Sequence, residues 1–492
     1  MNAPDAVVVG SGPNGLAAAV TRARAGLAVL VLERAEAIGG GARTQELTLP
    51  GFLHDVCSAV HPMALASEFF QRFGLERRIE LAVPEISYGH PLPGGGAGIA
   101  YRSLDRTAES LGADGRAWRR LFEPLVEHRR GLADFTGNQL LRFPRDPVTA
   151  VRFGLRALEQ GSAAWNLRFA HEVAPALLTG VFAHTIRGMP SLSTAGAGLV
   201  LATYAHSVGW PIPIGGSAAI VRALAEDVIA HGGEIRTGVD VTDLAELPPS
   251  RVIMLDLAPR ALLRIAGDRL PTGYATKLRK FRYGNAVAKV DFALSDPVPW
   301  RHGELGSAGT LHIGGTRAQI SRAENTVSRG KHAVHPYVLA SQPTVLDPSR
   351  APAGKHVLWT YTHVPRGSSV DQAEAVIRQI EGYAPDFRDT ILAVSSRTAV
   401  QVEDENPNYV GGDIAAGEVS MRQLLARPVL SADPWHTPLH GVYFCSASTP
   451  PGPGVHGLCG WQAALIALRN EYGIRQEPDL AEEQEGRQAQ GR

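Results

Sequence analysis

The chain is poor in cysteine, carries no excess charge of either sign and contains no long apolar run. Three cysteines in 492 residues, Cys57, Cys445 and Cys459, are too few and too scattered for a disulfide framework or a cysteine-based zinc site. Lys plus Arg and Asp plus Glu both number 48. This balance argues against a nucleic-acid partner, which requires a positive field. No apolar run approaches the roughly 20 residues that span a bilayer.

The remaining composition is that of a large α/β protein. At roughly 100–200 residues per domain, the chain has room for two to four domains or for two interleaved ones. The first residues have neither the basic start nor the apolar stretch of a signal peptide. No metal-ligand spacing such as H-E-x-x-H is present. We therefore expect a soluble, cytoplasmic protein without a metal site, and we leave peripheral membrane contact and a homodimer open.

The chain begins with the pattern of a βαβ unit. Apolar runs at 6–9 and 29–32 predict two buried parallel strands, and the Ala- and Leu-rich stretch 15–25 predicts the helix between them. The turn before that helix matches G-x-G-x-x-G and reads Gly10-Ser11-Gly12-Pro13-Asn14-Gly15. In such a turn Gly10 permits the bend, Gly12 permits close approach of a pyrophosphate, and Gly15 permits helix–strand packing.

An acidic residue supports the dinucleotide interpretation of this turn. Glu33 ends the second strand 18 residues after Gly15, where a carboxylate accepts hydrogen bonds from an adenosine ribose. The alternative is a structural turn beside a surface glutamate. A second glycine run follows Glu33 and Arg34 and reads Gly39-Gly40-Gly41-Ala42-Arg43-Thr44. Its backbone can approach an extended ligand, and Arg43 is either a phosphate or ring contact or a surface cation.

A third glycine-rich segment lies near the other end of the chain. A buried strand at 441–445 leads through Ser446 into the loop 450–457, which is rich in Pro and Gly, and then into a helix. Proline fixes the backbone and glycine lets it approach a flat ring, while the helix N-terminus favours negative charge on that ring. The alternative is a structural turn between a strand and a helix.

With these three segments and 213–216, 233–241, 205–211 and 406–413, the sequence resembles the FAD-dependent oxidoreductases of the phytoene desaturase and amine oxidase superfamily. It is most similar to the subgroup related to the mitochondrial pyridine nucleotide-disulphide oxidoreductase domain protein. The resemblance implies FAD as the cofactor, with Val241 beside the adenine. The implied cofactor-binding residues are Gly10, Gly12, Pro13, Asn14, Gly15, Glu33, Arg34, Gly40, Gly41, Ala42, Arg43, Val241, Ser446, Pro453, Gly454, Val455 and His456.

The resemblance also implies the architecture. We expect an α/β fold in which a Rossmann-type FAD-binding domain is interleaved with an α+β substrate domain that has a mixed antiparallel sheet and a helical cap. The expected FAD-binding segments are 1–60, 210–262 and 425–477. The expected substrate domain comprises 61–209 and 263–424, and the polar residues 478–492 are expected to form a disordered tail.

The expected reaction is desaturation or dehydrogenation by hydride transfer from a hydrophobic substrate, such as a polyene, an isoprenoid or an acyl chain. Flavin amine oxidation, redox-neutral isomerisation or cyclisation, and a non-catalytic flavin-binding scaffold are the alternatives. His456 and His206 are the candidate catalytic residues, and each has a structural role as its alternative. Further candidates for proton handling are His54, Asp55 and His61.

Two further groups of residues bear on the substrate. Tyr204, Trp210, Trp359 and Tyr361 are candidates for the wall of a substrate cavity, with core packing as the alternative. Five arginines alternate with large apolar residues between 142 and 169, namely Arg142, Arg145, Arg152, Arg156 and Arg168. Such a basic, aromatic stretch is either a surface that lies on an anionic bilayer or a solvated cap helix packed on the core.

Overall fold

The structure is a computed structural model that describes residues 3–481. Its strands within that range are β1 (Ala6–Val9), β2 (Val29–Leu32), β3 (Thr44–Glu46), β4 (Leu53–Asp55), β5 (Leu81–Ala82), β6 (Ile86–Pro91), β7 (Ala97–Tyr101), β8 (Ile212–Pro213), β9 (Glu234–Arg236), β10 (Val252–Leu255), β11 (Ala286–Leu294), β12 (Thr310–Ile313), β13 (Val338–Ser341), β14 (His356–Val364), β15 (Ile391–Arg397) and β16 (Val442–Phe444).

The helices of the described residues lie between these strands. They are α1 (Pro13–Ala23), α2 (Glu68–Phe73), α3 (Leu75–Arg78), α4 (Leu104–Ser110), α5 (Gly115–Glu127), α6 (Arg129–Thr136), α7 (Pro147–Gln160), α8 (Val173–Phe182), α9 (Leu192–Ala205), α10 (Ala218–Ala230), α11 (Pro259–Ala266), α12 (Thr272–Arg279), α13 (Arg317–Val327), α14 (Ala373–Glu381), α15 (Ala399–Glu405), α16 (Met421–Leu425) and α17 (Leu458–Tyr472).

The first sheet is parallel throughout and has the strand order β16-β10-β1-β2-β9. Helices α1, α10 and α17 pack on one face of it, and α11 and α12 pack on the other. Because both faces are covered, every residue of β1 and β2 is buried, which explains why both strands are uninterrupted apolar runs. The carboxyl ends of β1, β2 and β10 meet at one edge, where a ligand can bind.

The second sheet has seven strands in the order β15-β11-β14-β13-β12-β6-β7. Its ladders are antiparallel except for the pair β12 and β6. Side chains of α5, α7, α8 and α9 form one core with one face of this sheet, and α14 packs on the opposite face. The predicted combination of a Rossmann-type parallel sheet, a mixed antiparallel sheet and a helical cap is therefore confirmed.

The parallel sheet takes its strands from three separate parts of the chain: 6–32, 234–255 and 442–444. The two sheets are thus interleaved in sequence, although the exact domain bounds given above stay a prediction. The expected tail at 478–492 begins too early, because Leu480 is buried in the core beside α1 and the Ala481 carbonyl accepts a hydrogen bond from Arg24. Residues 482–492 lie outside the described part of the chain. Among the described helices, none has the length and apolarity needed to cross a membrane.

Candidate functional site

A single cavity of about 690 Å³ connects the parallel sheet to the helical cap. At one end it is lined by the turn after β1, by Glu33 after β2 and by Asp256 after β10. At the other end it is lined by residues of α7, α9 and the seven-stranded sheet. We call these the nucleotide end and the deep end. The cavity therefore brings together segments from the beginning, middle and end of the sequence.

At the nucleotide end, Glu33 is oriented by the glycine-rich turn itself. Its carboxylate accepts hydrogen bonds from the backbone N–H of Ser11 at 2.9 Å, from the Ser11 hydroxyl at 2.6 Å and from the Ala35 N–H at 2.9 Å. A Cβ at Gly15 would overlap the carbonyl oxygen of Gly10, so glycine is required there for helix–strand packing. Arg34, exposed, and Val241, buried, line the same end of the cavity.

Asp256 is a residue of this end that the sequence analysis missed. Its Oδ2 accepts a hydrogen bond from the Gly15 N–H at 3.0 Å, and a Cβ at Gly12 would come within 2.6 Å of the same oxygen. Glycine at position 12 thus makes room for Asp256, a reason that the motif alone does not give. Burial raises the pKa of Asp256 to about 7, and the nearby Glu33 adds to the shift. Its position directly after a buried strand was a usable signal, since parallel strands end at one edge.

The second glycine run lies against the dinucleotide turn. Gly40, with a φ of +55°, faces the backbone of Gly12, and a Cβ at Gly41 would overlap the hydroxyl of Tyr409. Arg43 is held in place, because its Nε donates to the Gly40 carbonyl at 2.9 Å and its Nη2 donates to Glu405 at 2.9 Å. Gly40, Gly41, Ala42 and Arg43 all line the cavity, so the segment borders the ligand space as expected.

The C-terminal loop closes the same space from the other side. Ser446, Pro453, Gly454 and Val455 line the cavity. Gly454 has a φ of +140°, a conformation that side-chain-bearing residues rarely adopt. The buried Arg427 ties the start of this loop to its neighbours, because its Nε donates to the Ala447 carbonyl at 2.8 Å and its Nη2 donates to the Ala415 carbonyl at 2.6 Å.

His456 is a member of this loop but does not line the cavity. Its Nε2 is 3.2 Å from the Gly452 carbonyl, to which it donates, and its Nδ1 accepts the Leu458 N–H at 3.0 Å. Both ring nitrogens are therefore used by backbone groups, and burial lowers the pKa of the ring to about 4. The geometry gives His456 a structural role at the start of α17 and does not support the catalytic role proposed from the sequence.

His206 has the same kind of environment in the core below the cap. Its Nδ1 donates to the Tyr101 carbonyl at 2.9 Å and its Nε2 accepts the indole N–H of Trp118 at 3.1 Å. It does not line the cavity, and burial lowers its pKa to about 4. With both nitrogens occupied and no access to the ligand space, His206 is also structural. Tyr204, expected in the cavity wall, is buried in the same core instead.

The three other candidates for proton handling are already held by polar contacts with other residues. Asp55 is ion-paired with Arg350 at 2.8 Å and accepts from the Ser217 N–H at 2.8 Å. His54 is buried against Thr48, at 2.8 Å from its hydroxyl. His61 does line the cavity, but its Nε2 is 2.8 Å from the Ser217 hydroxyl and burial lowers its pKa to about 4.

The deep end of the cavity is mainly apolar and aromatic. Trp210, Trp359 and Tyr361 line it, as the sequence analysis expected, together with Val200, Leu201 and Leu339. His184 and Thr310 also lie there and were not identified from the sequence, which offers no spacing signal for either of them. A mainly apolar pocket that opens onto a dinucleotide turn is typical of a nucleotide-dependent enzyme site rather than of a structural void.

Comparisons with known proteins agree with this class. The family model of an NAD(P)-binding Rossmann-like domain matches residues 8–73. The chain is 26% identical to a rat pyridine nucleotide-disulfide oxidoreductase domain-containing protein, over 95% of this chain and 93% of the relative. It is 27% identical to a phytoene dehydrogenase of Streptomyces griseus, over 80% and 78% of the two chains. The cyclohexylamine oxidase of Brevibacterium oxydans has a similar fold, with a TM-score of 0.57 and 17% identity over 94% of this chain and 98% of that one.

The similarities cover nearly the whole chain rather than the dinucleotide motif alone. They support membership of the FAD oxidoreductase superfamily and confirm the resemblance stated from the sequence. The comparisons thus support a flavin-dependent oxidoreductase with a Rossmann-type fold.

Proposed function

We propose that the protein binds FAD without a covalent bond and dehydrogenates a hydrophobic substrate by hydride transfer. The observation that carries the proposal is the continuity of the cavity, which joins the dinucleotide turn to an apolar, aromatic pocket. The dinucleotide turn by itself is common to nicotinamide and flavin sites. Here Gly40–Arg43 and Ser446–Val455 border the same space, and this supports a ligand that extends beyond the first nucleotide.

The residues present fit such a cofactor. Glu33 and Val241 would hold the adenosine half, and the α1 N-terminus and Arg43 would face the pyrophosphate. Gly454, with its positive φ, lies at the edge of the cavity, and a Cβ there would come within 2.9 Å of the sulfur of Met63, which lines the same space. A flavin held there would supply a two-electron acceptor for a hydride from the substrate. The surrounding protein orients the reacting C–H bond and excludes water.

The lining of the deep end indicates which groups could accept the proton that the substrate loses. Tyr361 and His184 are titratable side chains of this end: burial raises the pKa of Tyr361 and lowers the pKa of His184 to about 3. Both therefore stay neutral, and His184 is a weak base. We propose that the reaction depends on how the substrate is positioned against the cofactor and not on a side-chain base. The second proton would leave through water, and oxygen or a quinone would reoxidise the cofactor.

The first experiment is the visible spectrum of the purified protein. Absorbance of an oxidised flavin and release of FAD on denaturation support the proposal. Anaerobic titration with polyenes and with amines then separates desaturation from amine oxidation, because only a true substrate bleaches the flavin. A protein without flavin, or a flavin that no substrate class reduces but NADPH reduces quickly and stoichiometrically, would contradict the proposal.

We also propose that α7 lies on a lipid surface from which the substrate enters. Val148, Val151, Leu155 and Leu158, at helical spacing on one face of α7, are each between 57% and 62% exposed. Inward-facing residues of the same helix, such as Phe153 and Ala157, line the cavity. The arginines contribute less than the sequence implies, since Arg142 is paired with Asp134 and Arg168 with Glu159. Apolar insertion therefore dominates over attraction to anionic lipid.

Sedimentation with phosphatidylcholine vesicles, with and without phosphatidylglycerol, tests this contact. The double variant Val151→Ser, Leu155→Ser removes two exposed apolar side chains, each of which adds about 1 kcal/mol or more on burial, so vesicle binding should fall at least about 10-fold. Val334→Ser, at an 86% exposed position in another region, is the matched control. Absence of vesicle binding by the unmodified protein, or unchanged binding by the double variant, would contradict the lipid contact.

A further inference from the structure

The deep end of the cavity contains few polar atoms, and they have a specific arrangement. Thr310 and Trp359 line this end, but the Thr310 hydroxyl and the Trp359 indole N–H have almost no accessible surface and are sealed within the wall. His184 is half-buried and lines the same end. Polar groups in protein interiors are normally hydrogen-bonded, so a polar atom that faces an apolar cavity without a partner indicates a ligand with a polar atom.

His184 is held by a second histidine. Its Nε2 is 2.8 Å from the Nε2 of His312, which is fully buried on β12. The two rings are perpendicular at a centroid distance of 5.0 Å, and the ring of Trp210 packs edge-on against His184 at 5.6 Å. The residue two positions after His184, Ile186, has a φ of +53°, which is rare for a β-branched side chain. Strained backbone of this kind is typical of functional sites.

The hydrogen-bond partners of His184 and His312 determine which ring nitrogen of each residue carries the proton. Burial lowers the pKa of both rings far below neutrality, so each carries one proton, and one proton lies between them. If His184 donated, the proton of His312 would be on Nδ1, which is buried without a partner in the described residues. An orphaned buried N–H is the rarer defect, so His312 donates and His184 keeps its proton on Nδ1.

This proton faces the cavity. No described residue accepts it, and the atom is not sealed in the protein interior, unlike Nδ1 of His312 and of His90. The deep end thus presents the N–H of His184 to a ligand.

The charged groups near the deep end are paired with one another. Arg43 and Arg397 are ion-paired with Glu405 in a small pocket that Tyr361 also lines. The ammonium group of Lys289, 4.7 Å from the Trp359 ring centroid, is bound by Asp291. A protonated amine or a carboxylate would therefore lose hydration without gaining an unpaired opposite charge.

We propose that the deep end binds a neutral oxygen acceptor of an otherwise apolar substrate, with His184 Nδ1–H as the donor. The substrate class is then an apolar chain or ring system that bears a ketone, aldehyde or ester carbonyl, rather than a pure hydrocarbon or an amine. This inference rests on the proposed function in that the same cavity holds substrate and cofactor.

The test measures binding of four ten-carbon probes to the full-length protein as purified: decane, 2-decanone, decylamine and decanoate. Displacement of a fluorescent apolar dye reports affinity, and the visible spectrum of bound flavin is recorded separately. One net hydrogen bond makes 2-decanone about 3- to 10-fold tighter than decane. Decylamine and decanoate should bind more weakly than the ketone.

Two conservative variants test the roles of the two ring nitrogens of His184 separately. His184→Gln places an amide near Nε2 and keeps a partner for His312, but it removes the donor that faces the cavity. His184→Asn places its amide near Nδ1 and keeps that donor. The ketone preference should fall to about 1-fold in His184→Gln and persist in His184→Asn, while decane affinity stays constant in both. Thermal unfolding confirms that the variants are folded.

The outcomes are decisive in either direction. A ketone preference that survives in His184→Gln, tighter binding of decylamine than of 2-decanone, or no binding of any probe would overturn the inference. Failure of the proposed function has a different signature, namely a missing flavin spectrum, which leaves the probe preferences measurable. Loss of the preference in both variants would show that the pair acts only through packing, and it would also overturn the assignment.

Discussion

The two ends of the cavity are built in different ways. The nucleotide end is polar and assembled mostly from short, continuous segments, in which Ser11 orients Glu33 and Gly40 lies against Gly12. The deep end is apolar, and its members come from separate helices and strands, so His184 meets His312 across 128 positions of sequence. A site made of local turns is constrained by its own backbone. A site made of distant side chains depends on the packing of the whole substrate domain.

The largest effect should come from breaking the local packing of the nucleotide end. In Gly15→Val the new side chain would overlap the Gly10 carbonyl and press on Asp256, so α1 must move away from β1. We expect a loss of about 3 kcal/mol or more in the free energy of unfolding, together with loss of flavin. Chemical denaturation and the visible spectrum measure both. Gly273→Val, at a helical position without a positive φ and with no atom within 4 Å of a Cβ, is the control for the effect of a substitution as such.

A smaller effect is expected from Glu33→Gln, which keeps the shape and removes the charge. Hydrogen bonds to a charged acceptor contribute about 1.5–3 kcal/mol, so flavin affinity should fall roughly 10- to 100-fold. Equilibrium dialysis of FAD against the apoprotein measures this, with the exposed Glu36→Gln as the control in the same loop. Unchanged affinity would mean that Glu33 only organises the turn and does not contact the cofactor.

His456→Ala tests the boundary between the two ends. The substitution removes an acceptor for the Leu458 N–H and a donor to the Gly452 carbonyl, so we expect about 1–3 kcal/mol of destabilisation. The turnover rate of the flavin-loaded, folded fraction should stay close to that of the unmodified protein. A rate loss of about 100-fold or more in a stable variant would instead restore the catalytic role inferred from sequence.

Asp256 gives the nucleotide end a pH dependence that the deep end lacks. Because burial raises its pKa from about 4 to about 7, the folded state favours the protonated carboxyl, and this contribution to stability is lost as pH rises through 7. Above that pH the ionised group lies beside the site of an anionic pyrophosphate, so flavin should dissociate about 3- to 10-fold more readily at pH 8 than at pH 6. In equilibrium dialysis, Asp256→Asn should remove this pH dependence of flavin affinity. The same change in affinity between pH 6 and pH 8 in the variant would contradict the assignment.

The least perturbing change is at the mouth of the deep end. Gly154 on α7 lines the cavity, and a Cβ there would meet no atom within 4 Å. Gly154→Trp should leave stability and the flavin spectrum unchanged while raising the KM for the substrate several-fold, because the indole narrows the entrance. Gly273→Trp, at another open helical position outside the cavity lining, is the matched control.

The contrast between the ends also explains what could be predicted from the sequence. The turn at Gly10–Gly15, Glu33 and the loop before α17 were recognised because each is a local pattern with a backbone reason. Asp256 escaped because its role appears only when β10 lies next to β1. His184 and Thr310 could not be found, since nothing in their spacing indicates that β12 faces the end of α8. His456 and His206 were overvalued because a sequence does not reveal which ring nitrogens are already hydrogen-bonded.

The order in which the chain is synthesised has a consequence for cofactor loading. The dinucleotide turn is synthesised long before β16 and the loop that follows it. Because β16 pairs with β10 and the loop borders the ligand space, the growing polypeptide exposes an incomplete pocket until both have been added. If the cofactor is the proposed FAD, its binding would have to follow the synthesis of β16, and a polypeptide that lacks it would keep this side of the pocket open.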